Sequence, residues 1–210
     1  TASATRVTRR PGGRVAVYCL LERWEVTSAT MTFRGCCVWA VFVMIFGQGA
    51  LGATRVFGPD AEWRWKKGTE EASAPDATAW RGPGFNDGGW EVGIGPFSYG
   101  EGLSGTDLPD MRGGYTCVYL RKRFEISDPS ELGAVRLGVR SDDGFAAWIN
   151  GTSVARFNMP EGELRFDATA LGTFNEPIPT ETYDLADFST ILVPGANVIA
   201  VQACNASLSN

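Results

Sequence analysis

Asn150-Gly151 sits between two runs, 145–149 and 152–157, that alternate larger apolar residues with small or polar ones. Both central residues of a type I′ turn need positive φ, which asparagine and glycine tolerate best. The dipeptide therefore predicts a tight β-hairpin. Phe145 and Ile149 fall on one face of the first run and Trp148 on the other. Just ahead, Asp142-Asp143-Gly144 predicts a second tight turn. The stretch reads as antiparallel β structure with two adjacent carboxylates at one end.

The rest of the chain follows the same period. Trp63 and Trp65 share one face of a strand. Over 115–126, Val118, Leu120 and Phe124 alternate with Tyr119, Arg121 and Arg123. Over 134–140, Val135, Leu137 and Val139 line one side. Residues 182–188 read as strand-like, and 197–204 are rich in β-branched residues. The 26 glycines and 11 prolines favour turns and short strands, and no segment carries a helical period of adequate length. The expectation is an all-β antiparallel β-sandwich of jelly-roll type.

Strand direction places the loops. If each strand crosses the sandwich once, the Asp142-Asp143 turn, the long loops 93–114 and 158–180, and Asn205 share one end. The short turns, Asn150-Gly151 among them, lie at the other. Long loops on a rigid sandwich are the usual place for binding.

Charge and composition exclude several functions. Residues 1–53 hold six of the 19 basic residues and two of the 24 acids, so 54–210 carry 13 and 22, a net −9. An acidic domain without a basic cluster is a poor partner for nucleic acid. The chain has no histidine, which removes Ser-His-Asp and Cys-His catalysis and imidazole zinc sites. No spacing selects a catalytic carboxylate pair, so the domain is expected not to be an enzyme. Gly100 to Gly105 matches G-x-G-x-x-G formally, but TDLPDMRGG follows where a dinucleotide site needs a helix.

The front of the chain reads differently. Arg34 and the apolar run 36–46, followed by Ala50-Leu51-Gly52, fit a secretory signal peptide over 31–53, cut after Gly52 or Ala53. Residues 1–30 contain no methionine and read as a non-native upstream extension. The domain is then 54–210, secreted, periplasmic or at the cell surface, with no membrane attachment after cleavage. Cys117 and Cys204 remain in a disulfide-permissive setting, either bridged or as unpaired small core residues.

Four motifs occur in a recognisable order: Trp80 with FNDGGWEVGIGPFSYGEG (85–102), YLRKRFEI (119–126), SDDGFAAWINGTSVA (141–155) and LVPGANVIAVQACN (192–205). Together they resemble the galactose-binding-like jelly-roll family. That family includes carbohydrate-binding modules, the sugar-binding domain of family 2 glycoside hydrolases, and modules of large secreted planctomycete-type bacterial proteins. The resemblance implies a further strand after Asn205, so 54–210 is expected to be C-terminally truncated and joined to further domains of the same polypeptide.

It also implies a binding role. Asp142-Asp143-Gly144 resembles the double-aspartate turn of calcium-dependent lectin modules, which makes Asp142 and Asp143 candidate ligands for calcium. Calcium takes several hard oxygens, and Asn205 adds one. Tyr99 and Trp80 offer flat rings for a sugar face, and Glu176 a carboxylate for a hydroxyl or a cation. Each has a plain alternative: turn aspartates accept local backbone N–H groups, aromatic rings pack, and a loop acid is solvated. The expected function is a non-catalytic carbohydrate-binding or adhesion module, its partner a glycan or cell-surface polysaccharide. The alternative is a structural accessory domain that packs against a catalytic domain and binds nothing itself.

Overall fold

The computed structural model describes residues 18–25, 53–100, 102–173 and 180–209. In chain order the strands are β1 (Tyr18–Glu25), β2 (Thr54–Phe57), β3 (Glu62–Lys67), β4 (Glu91–Ile94), β5 (Phe97–Ser98), β6 (Thr106–Asp107), β7 (Cys117–Ile126), β8 (Leu132–Arg140), β9 (Gly144–Ile149), β10 (Thr152–Phe157), β11 (Glu181–Asp184) and β12 (Gly195–Cys204). One helical turn, α1 (Phe188–Ile191), precedes β12.

Two antiparallel sheets form an all-β sandwich, in the orders β11-β8-β1-β2 and β10-β9-β12-β7-β3-β4; β5 and β6 make a short parallel pair. Alternation decides what lies between the sheets. Leu120 and Phe124 of β7, Leu137 and Val139 of β8, Phe145 and Ile149 of β9 and Ile199 and Val201 of β12 enter one core with Trp63 and Trp65. The opposite face of the larger sheet is also buried. Tyr119, Ala146, Trp148 and Ala200 meet Trp80, Met159 and Leu164 from the turns and loops that cover it.

The Asn150-Gly151 hairpin is present, with φ of 52° and 88° and Thr152 paired with Ile149. Asn150 does more than turn. Its amide donates to Ile191 O (2.9 Å) and Asn197 Oδ1 (2.7 Å), and its own oxygen accepts from Val198 N (2.9 Å). This side chain satisfies the backbone where β12 begins.

The Asp142-Asp143 turn carries the chain from β8 in one sheet to β9 in the other. One local expectation changes. The strand expected over 182–188 ends at Asp184. Leu185 N–H still reaches Val135 O (2.9 Å), but Ala186 N–H turns back onto Asp184 O (3.1 Å), and Phe188 opens α1.

Cys117 and Cys204 stand opposite each other on β7 and β12 and form a disulfide. Cys19 is a buried free thiol. Residues 18–25, inside the expected upstream extension, form β1 between β8 and β2. The expected signal peptide over 31–53 lies, apart from Ala53, outside the described residues, as does Glu176.

Candidate functional site

The end of the sandwich that holds Asp142-Asp143 gathers several strand termini. In register, Gly144 opposes Cys204, Cys204 opposes Cys117, and Phe157 opposes Phe145. The start of β7 and the ends of β10 and β12 therefore meet the turn between β8 and β9. The disulfide ties two of these termini together.

Asp143 is buried and held from several sides. Its Oδ2 accepts Ala206 N–H at 2.7 Å, and its own N–H donates to Cys204 O at 3.4 Å. Asn158, at positive φ of 51°, donates its amide to Asp143 O (3.1 Å) and Gly172 O (2.6 Å). That side chain joins the carboxylate turn to both ends of the described part of the second long loop. Ser141 Oγ donates to Gly144 O at 3.1 Å. Gly144 permits the close approach: a Cβ there would stand 2.8 Å from both Asn158 O and Met159 Sδ.

Asn205 is completely buried beside this turn. Its backbone N–H donates to Thr116 O (2.9 Å), and its carbonyl accepts from Ala170 N–H (3.0 Å). Its side-chain amide donates to the Tyr99 hydroxyl (3.0 Å). Its Oδ1 has no hydrogen-bond partner among the described residues. Burial raises the Tyr99 phenol above its ordinary value; Asp143 and Asp142 push the same way, against the Asn205 hydrogen bond and the charge of Arg112. Those influences place both carboxylates within electrostatic range of the phenol.

The structure thus brings together Asp142, Asp143, Tyr99 and Asn205. All four are buried. They offer carboxylate, amide and phenol oxygens, a donor set suited to a hard cation such as calcium and unsuited to zinc. Among the described residues no three His, Cys, Asp or Glu side chains form a metal-holding group, so a cation here would need the Asn205 amide oxygen and backbone carbonyls.

Trp80 lies elsewhere, on the covered face of the larger sheet. Its ring meets Tyr119 (5.0 Å), Trp148 (5.6 Å) and Trp90 (6.2 Å), and it is buried. Two charged residues that strand alternation did not single out organise this region. Arg121 is fully buried; its Nε donates to Asp87 Oδ2 (2.8 Å), and its other nitrogens reach the carbonyls of Trp80, Gly82 (3.2 Å) and Phe85 (3.5 Å). Desolvation lowers its pKa, opposed by Asp87. Arg81 lies over the Trp148 ring at 4.0 Å and pairs with Glu163. The available signal was weak: an arginine on the outward positions of β7 reads as solvated unless something covers that face.

No family model matches this chain. No curated protein matches it. Among solved structures, a β-glucuronidase from an uncultured Clostridium sp. is similar at 15% identity with a TM-score of 0.42. The similarity covers 70% of this chain and 21% of that one, so this chain spans a minor share of that protein's length.

Proposed function

We propose that residues 54–210 are a non-catalytic module of a larger exported protein that binds carbohydrate at the Asp142-Asp143 end, with calcium as its candidate cofactor. One observation supports this reading above the others. Asn205 Oδ1 is a buried acceptor without a hydrogen-bond partner among the described residues, beside two adjacent carboxylates. A buried polar atom left unmatched is unfavourable, and a cation or a hydroxyl donor would satisfy it. Asp142, Asp143 and Asn205 would hold the cation, and the glycan would take its open coordination positions. Export rests on the leader expected over 31–53.

A second reading has its own support. The four clustered side chains are buried, and the Trp80 ring is enclosed by other rings. These are features of a structural accessory domain that binds no sugar. The full chain on a glycan array, with calcium and with a chelator, separates the two. Calcium-dependent retention of a glycan, a calorimetric calcium titration with heat, and loss of both in Asp142→Ala/Asp143→Ala support the first reading. A folded wild-type chain that takes up neither calcium nor any glycan assigns the domain to the second.

A further inference from the structure

The disulfide between Cys117 and Cys204 closes the last rung of a ladder that pairs β7 with β12 at ten positions. The other rungs, and the pairing of β12 with β9, hold the sheet without it. The cross-link stands one residue from the groups that assemble the cluster of Asp143 and Asn205. Thr116, just before Cys117, accepts Asn205 N–H on its carbonyl (2.9 Å), and Asn205 directly follows Cys204. Cys204 O accepts Asp143 N–H (3.4 Å), and Asp143 Oδ2 accepts Ala206 N–H (2.7 Å).

Both cysteines are completely buried, and what surrounds them is backbone and small side chains. Gly68 N–H donates to Cys117 O (2.8 Å), and a Cβ at Gly68 would lie 3.0 Å from Cys117 Cβ. Gly144 stands opposite Cys204 on β9. A Cβ there would come within 2.8 Å of Met159 Sδ and 3.0 Å of Ala170 Cβ. The Ala168 carbonyl oxygen stands 3.0 Å from Cys117 Sγ. The segment from Met159 to Ala170 thus packs over the cysteine row. It is also tied to the cluster, since Ala170 N–H donates to Asn205 O (3.0 Å). Two thiols repel to van der Waals separation where the bond had held the sulfurs together, and close packing leaves them no spare room. The ladders fix the strands laterally, so the displacement falls on the covering segment and on the chain after Cys204.

We infer that this disulfide is a redox switch on the cluster of Asp143 and Asn205. Reduction by a dithiol loosens residues 168–170 and 205–206 while both sheets stay folded, and lowers the affinity of the cluster for its ligand. A thiolate of the dithiol attacks one sulfur, the bond between Cys117 and Cys204 breaks, and the departing sulfur takes a proton. The second thiol of the reductant then attacks the mixed disulfide, frees the other protein sulfur as a thiol, and leaves the reductant as a cyclic disulfide. That the ligand is calcium rests on the function proposed above; the loosening does not.

The test compares the full chain, oxidised and reduced with dithiothreitol, by amide hydrogen exchange and by calorimetric titration with calcium chloride. On reduction the Asn205 and Ala206 amides are expected to exchange at least about 10-fold faster. The Asn150 and Val198 amides at the far end, and the far-ultraviolet spectrum, should not change. Calcium affinity is expected to fall by at least about 10-fold. Cys117→Ala/Cys204→Ala removes the sulfur bulk together with the bond and should keep Asn205 and Ala206 protected. Equal loss of protection in that variant would overturn the crowding argument. The inference is also overturned by a bond that the dithiol leaves intact in the folded chain, by unchanged protection after reduction, by unfolding of the whole chain, or by equal calcium affinity in the two redox states. An oxidised chain that takes up no calcium would instead remove the calcium reading, and selective loss of protection on reduction would still support the switch.

Discussion

Arg121 carries a charge on a strand buried on both faces. It is tolerated because one carboxylate and three carbonyls of residues 80–87 surround the guanidinium. The planar fork of an arginine suits several acceptors in different directions, which a lysine would not match. Removing the cation would leave Asp87 without its charged partner and Trp80 O without this donor, whereas Gly82 O keeps Phe85 N–H (3.4 Å) and Phe85 O keeps Arg123 Nη2 (3.3 Å). Arg121→Met is therefore expected to destabilise the fold by about 3–5 kcal/mol, measured by urea unfolding, with Arg121→Lys recovering only part of the loss. Cys19 behaves in the opposite way. Burial alone pushes its thiol up to about 12, so it stays protonated and unreactive while β1 is docked.

The loop that follows β10 is held to the outer face of the larger sheet by a few specific ties. Asn158 anchors its root. Gln202 on β12 donates to Arg165 O at 2.8 Å. Glu163 pairs with Arg81, whose Nη1 lies 3.0 Å from Glu163 Oε2. The hydrogen bond to Arg81 holds the Glu163 carboxyl below its ordinary value of 4.5. A depressed carboxylate stabilises the fold fully above its unfolded value, and that contribution is lost as pH falls through the lower folded one. The loop is thus expected to loosen on the acid side of 4.5, with Trp148 fluorescence beneath Arg81 as the readout. Glu163 is more than half exposed, so the effect is about 1 kcal/mol or less. Glu163→Gln should remove this component of the acid transition; an unchanged profile in that variant would show that the pair contributes nothing.

The molecule as a whole is two sheets, the larger of them clamped at one end by a covalent link between neighbouring strands. The disulfide joins the start of β7 to the end of β12, 87 residues apart in sequence, next to the Asp142-Asp143 turn. Reduction, or Cys117→Ala/Cys204→Ala, should lower stability by about 2–4 kcal/mol through the freed unfolded chain. Calorimetry with and without reductant measures this. An unchanged melting temperature would mean that backbone pairing of the two strands suffices. The Asn150-Asn197 bonds secure the opposite end without a covalent link, so reduction should affect hydrogen exchange near Asn205 before exchange near Asn150.

Much of this architecture is legible in the sequence because strand alternation has a period of two. The faces of Trp63 and Trp65, of Val118 and Leu120, of Val135, Leu137 and Val139, and of Phe145 against Trp148 all follow from it. The positive φ of Asn150-Gly151 follows from turn chemistry. Strand direction likewise predicted that Asp142, Asp143 and Asn205 share one end. Other features depend on contacts between residues far apart in sequence, which no local period encodes. Whether the outer face of β7 meets water or a second core depends on the loops folded over it, and so Arg121 and Trp80 are buried. Whether Cys117 and Cys204 bridge depends on the register of β7 against β12. The place of β1 is the clearest case: the sequence reading set residues 1–30 aside as an upstream extension, and only pairing with β8 and β2 gives residues 18–25 a position as a strand.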